Sequence, residues 1–202
     1  MNGKFFDLKK EKQDRMINAA LKVFALHGYR HASTDDIVRE AGISKGLLFH
    51  YFESKIGVYN FIYDYSVRYL SLELKSAVNS NEKNLFEIIR QIEMAKMFTM
   101  RGYPYMQQFL NRGMDEDVSE VLLTVESKRN ELNELYTSIL SHADLSLLPA
   151  SVDASKIIQM LDFTIKGLMT ARFHDLSFHP EMLYEEIKEY INLTEKMVNS
   201  CK

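Results

Sequence analysis

The stretch STDDIVREAGISKGLLFHYFESK, residues 33–55, decides how this chain reads. Ser33 and Thr34 are hydroxyl residues followed by Asp35 and Asp36. A hydroxyl satisfies a free N–H at a helix start, and acids suit the positive end of the helix dipole. Ile37, Val38 and Ala41 form a short apolar stripe, and Gly42 is suited to end that helix. Ser44 is placed to cap the next helix. Ile43 before it and Leu48 after it have the spacing of a hydrophobic staple. Leu48 and Phe52 are four apart and point to one core. Ser54 is placed to cap a long fourth helix reaching residue 77.

The helical pattern continues outward in both directions. Upstream, Ile17, Ala20, Leu21, Phe24 and Ala25 make one apolar stripe before Gly28, which predicts a helix over 9–27. Downstream, the polar segment 79–84 is a loop. Helical patterns follow over 85–100, 104–112, 116–141, 153–175 and 180–199. Gly102, Pro104, Gly113, Pro149 and Pro180 punctuate them. LSLEL at 70–74 alternates but continues a helical run. The fold class expected is all-α.

Composition narrows the functional classes. At 202 residues the chain suits one domain or two small ones. A net charge of -3 is unlike a polycationic nucleic-acid coat, but the charge is uneven. Residues 1–60 hold ten Lys/Arg against seven Asp/Glu, and residues 61–202 hold fifteen against twenty-one. Such asymmetry suits different partners for the two parts. The one cysteine, Cys201, excludes a disulfide scaffold and a cysteine-based zinc site. No run approaches the roughly 18 apolar residues of a membrane span. The N-terminal MNGKFFDLKKEK turns charged where a signal peptide needs its apolar region. A cytoplasmic protein with no membrane partner is expected.

Two short helices joined at Gly42 and Ile43 have the layout of a helix-turn-helix. In such a unit the second helix enters the DNA major groove and offers its outer face to base edges. With Leu48 and Phe52 in the core, Lys45, Gly46, Phe49 and His50 face elsewhere, and Leu47 and Tyr51 lie at the boundary. Gly46 weakens a helix start by roughly 1 kcal/mol against Ala, which is easier to accept where a phosphate or base edge must approach closely. Lys45 supplies charge, His50 and Tyr51 supply hydrogen bonds, and Leu47 can touch a thymine methyl. Taken singly, each also reads as a cap, a surface lysine or aromatic packing.

The string AALKVFALHGY (19–29), STDDIVREAGIS (33–44) and KGLLFHYFESK (45–55) resembles the TetR (tetracycline repressor-like) family of transcriptional regulators over residues 12–60. The resemblance implies an all-helical homodimer. A three-helix DNA-binding domain would cover 1–53, and a larger helical bundle, 54–202, would bind an effector and dimerise. It also implies that Ser44, Lys45, Gly46, Leu47, Phe49, His50 and Tyr51 stand at recognition-helix positions. Ser33 or Thr34 would meet a phosphate at the second helix, and Lys55 another at the fourth. Phe49 departs from the tyrosine common there, which removes a hydroxyl from the backbone contacts expected. Lys9, Lys10, Lys12 and Arg15 either add phosphate contacts or form a solvated face.

Two further groups stand out. Residues 94–114 are rich in Met and aromatics, types that suit ligand cavities and equally suit a core. Met97, Phe98, Tyr103, Tyr105, Met106 and Phe109 are the pocket candidates. Phe163, Gly167, Leu168 and Ala171, with Leu183, Ile187, Tyr190 and Ile191, are candidates for a four-helix dimer interface. Their alternative is a helix pair buried within one subunit. The partners expected are a palindromic double-stranded operator, an unidentified small-molecule effector and a second copy of the chain. Repression is the mode the resemblance implies. A rival reading is a helical small-molecule-binding protein without DNA binding.

An enzyme is not expected. HExxH, GxSxG and the Walker lysine pattern are absent. His27 and His31 are four apart but straddle Gly28, so no metal site or cofactor is expected.

Overall fold

In the computed structural model the described residues are 3–114, 116–173 and 179–200. Cys201 lies outside them. Among the described residues the regular structure is helical, with no strand. The α-helices are α1 (Lys10–His31), α2 (Thr34–Ala41), α3 (Lys45–Phe52), α4 (Lys55–Ala77), α5 (Leu85–Gly102), α6 (Met106–Met114), α7 (Ser119–Leu140), α8 (Ala154–Arg172) and α9 (Pro180–Asn199). Short 3-10 turns at Gly3–Asp7 and Leu145–Leu147 escape a reading of periodicity. The chain packs as two compact units, Met1–Leu70 with Gly102–Asn133, and Ser71–Arg101 with Glu134–Lys202. This division describes packing, whereas the boundary expected at residue 53 concerns which residues meet DNA.

The local signals of residues 33–55 act as their chemistry requires. The Ser33 hydroxyl accepts from the Asp35 N–H at 3.1 Å, and the Ser44 hydroxyl accepts from the Leu47 N–H at 3.2 Å. Gly42 ends α2 in the left-handed region, at φ 61°, and its N–H donates to the Arg39 carbonyl. The α3–α4 junction is tighter still. Glu53 takes a positive φ of 65°, and the Ser54 N–H donates to the Phe52 carbonyl at 2.7 Å. The Ser54 hydroxyl then accepts from the Gly57 N–H at 3.1 Å, which confirms Ser54 as a cap. A Cβ on Gly57 would stand 1.9 Å from the Phe52 carbonyl oxygen, so only glycine lets α4 begin against the end of α3.

The helix expected over 9–27 ends where expected, at Gly28. Gly28, at φ 68° and ψ 173°, breaks it, and one further turn follows to His31. The Arg112 guanidinium donates to the carbonyls of Ala25 and Leu26, both at 3.3 Å, and so serves groups near the break. The Tyr29 N–H donates to Glu116 at 3.1 Å. Gly28 marks the break in the sequence, whereas the contacts from Arg112 and Glu116, so distant in the chain, leave no trace in a sequence period.

The core of the first unit joins Ile17, Leu21 and Phe24 of α1, Ile37 of α2, Leu48 of α3 and Val58 and Ile62 of α4, all buried. Each such side chain contributes about 1.5–3 kcal/mol on leaving water. The second unit packs α5 (Leu85, Phe86, Ile89) against α8 (Leu161, Ile165, Met169) and α9 (Leu183, Ile187, Ile191). Arg90 of α5 donates to Asn192 and to Glu195 of α9 at 2.9 Å. The second unit also buries a charged pair, Glu93 and Lys96, at 2.7 Å. Burial pulls the Lys96 ammonium down, but Glu93 and Tyr136 more than offset it, and its pKa stands above the ordinary value.

Two substitutions test these constraints. Gly57→Ala forces backbone apart at the α3–α4 junction and should cost about 1–3 kcal/mol. Thermal denaturation should show the midpoint falling by roughly 2–4 °C for each kcal/mol. Lys96→Met strands the buried Glu93 carboxylate and should cost about 3–5 kcal/mol in denaturant titration, most of it recovered in the Glu93→Leu/Lys96→Met double variant.

Candidate nucleic-acid interface

Helix α3 spans only eight residues and is largely apolar. Leu48 and Phe52 are buried, as their spacing predicts. Lys45, Gly46 and His50 are exposed, with Ser44 beside them, while Leu47, Phe49 and Tyr51 are half-buried. A Cβ on Gly46 would meet nothing within 4 Å, so no packing within the chain calls for glycine there.

Ser33 and Thr34 are half-buried at the start of α2. The Ser33 oxygen accepts from the backbone, which leaves its own proton to donate outward. The Lys45 ammonium pairs with Asp35 of α2 at 2.8 Å, an exposed bridge between the two helices. Exposed pairs of this kind are worth about 0–1 kcal/mol, so an incoming phosphate displaces one at little cost. Arg39 pairs with Asp36, and Lys22 with Glu40 at 2.6 Å.

Lys55 is turned inward relative to its expected place at a phosphate. Its ammonium lies 4.6 Å from the centre of the Tyr29 ring and donates to the Arg30 carbonyl at 3.4 Å. Burial lowers its pKa, partly opposed by Glu116 and Glu120. Of the basic stretch in α1, Lys10 is engaged by Asp14 at 2.7 Å and by the Tyr103 hydroxyl at 3.2 Å. Lys9 and Arg15 are exposed, and Lys12 is half-buried.

The six pocket candidates fall in different units. Met97 and Phe98 belong to the second unit, and Tyr103, Tyr105, Met106 and Phe109 to the first. Met106 and Phe109 are fully buried, and the Phe109 ring packs on Tyr59 and Tyr63. The Tyr103 hydroxyl donates to Asp14 at 2.7 Å and lies 2.6 Å from the Tyr65 hydroxyl.

The interface candidates also divide. Leu183, Ile187 and Ile191 are buried in the core of their own unit, which corrects their expected place at a surface shared with a second copy. Phe163, Gly167, Ala171 and Tyr190 are exposed, and Leu168 is half-buried against the core. Three apolar residues beside them were missed: Met160, Leu193 and Met197 are 44%, 55% and 61% exposed. The recurrence of Tyr190, Leu193 and Met197 at three- and four-residue steps was the available signal. Among the described residues no helix is long and apolar enough to cross a membrane.

Comparison with known proteins agrees with this geometry. Residues 16–60 match the model of bacterial regulatory proteins, tetR family. The transcriptional regulator YuxN of Bacillus subtilis is 39% identical over 71 residues, which are 33% of this chain and 24% of that protein. The regulator SrpR of Pseudomonas putida is 24% identical over 160 residues, 79% of this chain and 74% of its own. A TetR family regulator from Chloroflexus aurantiacus superposes with a TM-score of 0.67 at 20% identity, covering 96% of this chain and 95% of that one. FadR from Bacillus subtilis, solved in complex with stearoyl-CoA, superposes at 0.59 and 18% identity, covering 88% and 96%. With its helix-turn-helix at residues 34–52, the chain carries the segment that the tetR family model describes, and its all-helical remainder shares the fold of solved TetR family regulators.

Proposed function

We propose that this regulator is a ligand-responsive repressor that binds a palindromic operator as a homodimer, acting in the cytoplasm and not as an enzyme. Residues 1–53 form the part that meets DNA, and residues 54–202 the part that senses an effector and dimerises. The observation that carries the DNA-reading surface is Gly46, exposed in the first turn of α3 with open space where a side chain would be. A phosphate or base edge occupies that space. Ser33, Thr34, Ser44 and Lys45 hold the backbone, and Leu47, His50 and Tyr51 read bases. Phe49 adds apolar contact. Lys55 reaches a phosphate after leaving the Tyr29 ring. One two-turn helix makes few base contacts, and a two-fold dimer doubles them across half-sites about one helical turn, or a multiple, apart.

For dimerisation the support comes from α8 and α9. Phe163 is 64% exposed, and it continues with Met160 and Gly167 along one side of α8. Leu193 and Met197 repeat the pattern on α9. Apolar faces of this kind suit a second copy packed as a four-helix bundle. Leu183, Ile187 and Ile191 stiffen that surface from behind.

Ligand response is supported by FadR, a relative in fold that is solved with stearoyl-CoA. Here an effector would meet Met97 and Phe98 on α5, near the charged pair of Glu93 and Lys96 in sequence. Residues to Leu70 of α4 pack in the first unit, and those from Ser71 in the second. A ligand favouring the non-binding state by about 1–3 kcal/mol of coupling would act through this continuous helix and through Tyr103, Tyr105, Met106 and Phe109.

Selection of duplexes from a random pool tests the whole reading. A palindromic consensus bound in the nanomolar range supports it, and equal weak binding to every duplex favours the helical ligand-binding protein without DNA. Gly46→Ala separates the roles of that residue. It should leave the fold intact or stabilise it by up to about 1 kcal/mol, yet weaken operator binding about tenfold or more. Phe163→Glu with Leu193→Glu should yield a monomer in light scattering and lower operator affinity roughly 100-fold. A dimer of unchanged affinity would remove α8 and α9 from the interface.

A further inference from the structure

The residues behind the reading face include some far from it in the sequence. The 3-10 turn at Gly3–Asp7 brings Phe5 against α3 and α4, where it is 0% exposed. The Phe5 ring meets Tyr51 edge-on at 5.8 Å and 83°. It also packs on Phe52 at 5.3 Å and on Phe61 of α4 at 4.9 Å. Tyr51 in turn meets the exposed His50 ring edge-on at 5.0 Å. A series of ring contacts therefore runs from a buried phenylalanine to a base-facing histidine.

The turn is itself tied down. Gln13 of α1 is buried, and its amide donates to the Phe6 carbonyl at 3.1 Å and to the Leu8 carbonyl at 2.7 Å. Those two bonds clamp both ends of the backbone that carries Phe6 to Leu8. Phe6 adds an edge contact to Phe5 at 5.6 Å and lies on Phe61 at 6.0 Å.

Phe5 shares in burying Phe52 of α3, but one of its ring contacts reaches beyond the core. Its edge contact falls on Tyr51, which lies at the border of the outward face. Aromatic rings prefer edge-to-face geometry, which fixes direction as well as distance. A base-reading side chain must be held to within about 0.5 Å of its productive position.

We propose that Phe5, clamped by Gln13, is a positioning residue for sequence reading: it sets the orientation of Tyr51 and, through it, of His50. Neither Phe5 nor Gln13 touches DNA. Their effect falls on discrimination between sequences rather than on attraction to the phosphate backbone, which is independent of sequence. This inference rests on α3 being the reading helix.

The test uses the full-length protein and two duplexes of equal length. One is the sequence selected from a random pool by the unaltered protein. The other carries the same bases in permuted order. Dissociation constants for both are measured by fluorescence anisotropy at one salt concentration, at a temperature where circular dichroism shows each variant folded. Phe5→Ala should lower the ratio of the two affinities about tenfold or more while leaving the permuted duplex within about twofold. Phe5→Leu fills the space without a ring and should give a smaller loss. If Phe5→Ala does not fold, Gln13→Leu decides the matter, because it releases the clamp without opening a cavity and should also lower the ratio. His50→Ala serves as the control for the reading helix. A ratio unchanged by both Phe5→Ala and Gln13→Leu, but lowered by His50→Ala, overturns the role of Phe5 and leaves the reading helix standing. A ratio unchanged by His50→Ala and by Leu47→Ala overturns the reading helix, and the role of Phe5 with it. Equal loss on both duplexes marks Phe5 as structural only and overturns the inference.

Discussion

An eight-residue helix does not hold itself together in water, because the cost of nucleation exceeds the return from so few hydrogen bonds. Helix α3 is therefore a product of its surroundings. Leu48 and Phe52 give it a core, Ser44 supplies its N-terminal hydrogen bond, and α4 starts directly against the Phe52 carbonyl. That last contact exists only because residue 57 has no side chain. All the anchoring lies on one side and at the two ends. The opposite side, with Lys45, Gly46 and His50, is exposed and takes no part in the core.

Some of the charge around α2 and α3 is balanced locally. Part of the surplus of cations in residues 1–60 is paired within the protein, since Lys45, Lys22 and Arg39 each stand beside an acid. Non-specific DNA binding grows with the number of phosphates neutralised. Cations with weak local partners pair with phosphates at small cost when the fit is good, and they add little attraction elsewhere. A regulator that must find one site among many duplexes benefits from that restraint.

The second unit shows why periodicity alone leaves a face undetermined. Helices α8 and α9 each carry two apolar stripes. One, including Leu161, Ile165, Leu183 and Ile187, closes the core of the unit. The other, including Phe163 and Leu193, faces outward. Both recur at three and four residues, so the spacing announces a helix with much apolar surface without saying which stripe the chain keeps for itself. Only the position of α5, whose Leu85 and Ile89 meet the first stripe, separates them.

Residues 33–55 needed no more than their own chemistry to be read. Caps, a left-handed glycine and a four-residue apolar spacing act between near neighbours, so the bounds of α2 and α3 and the start of α4 could be written down in advance. The extra turn to His31 after Gly28, the Arg112 contacts beside it, the inward turn of Lys55 onto Tyr29 and the seating of Phe5 behind Tyr51 could not be foreseen. Each depends on which segments, sometimes many residues apart, fit together in three dimensions. Side chains of similar character compete for such places, and complementarity of shape and charge, which carries no period along the chain, selects among them.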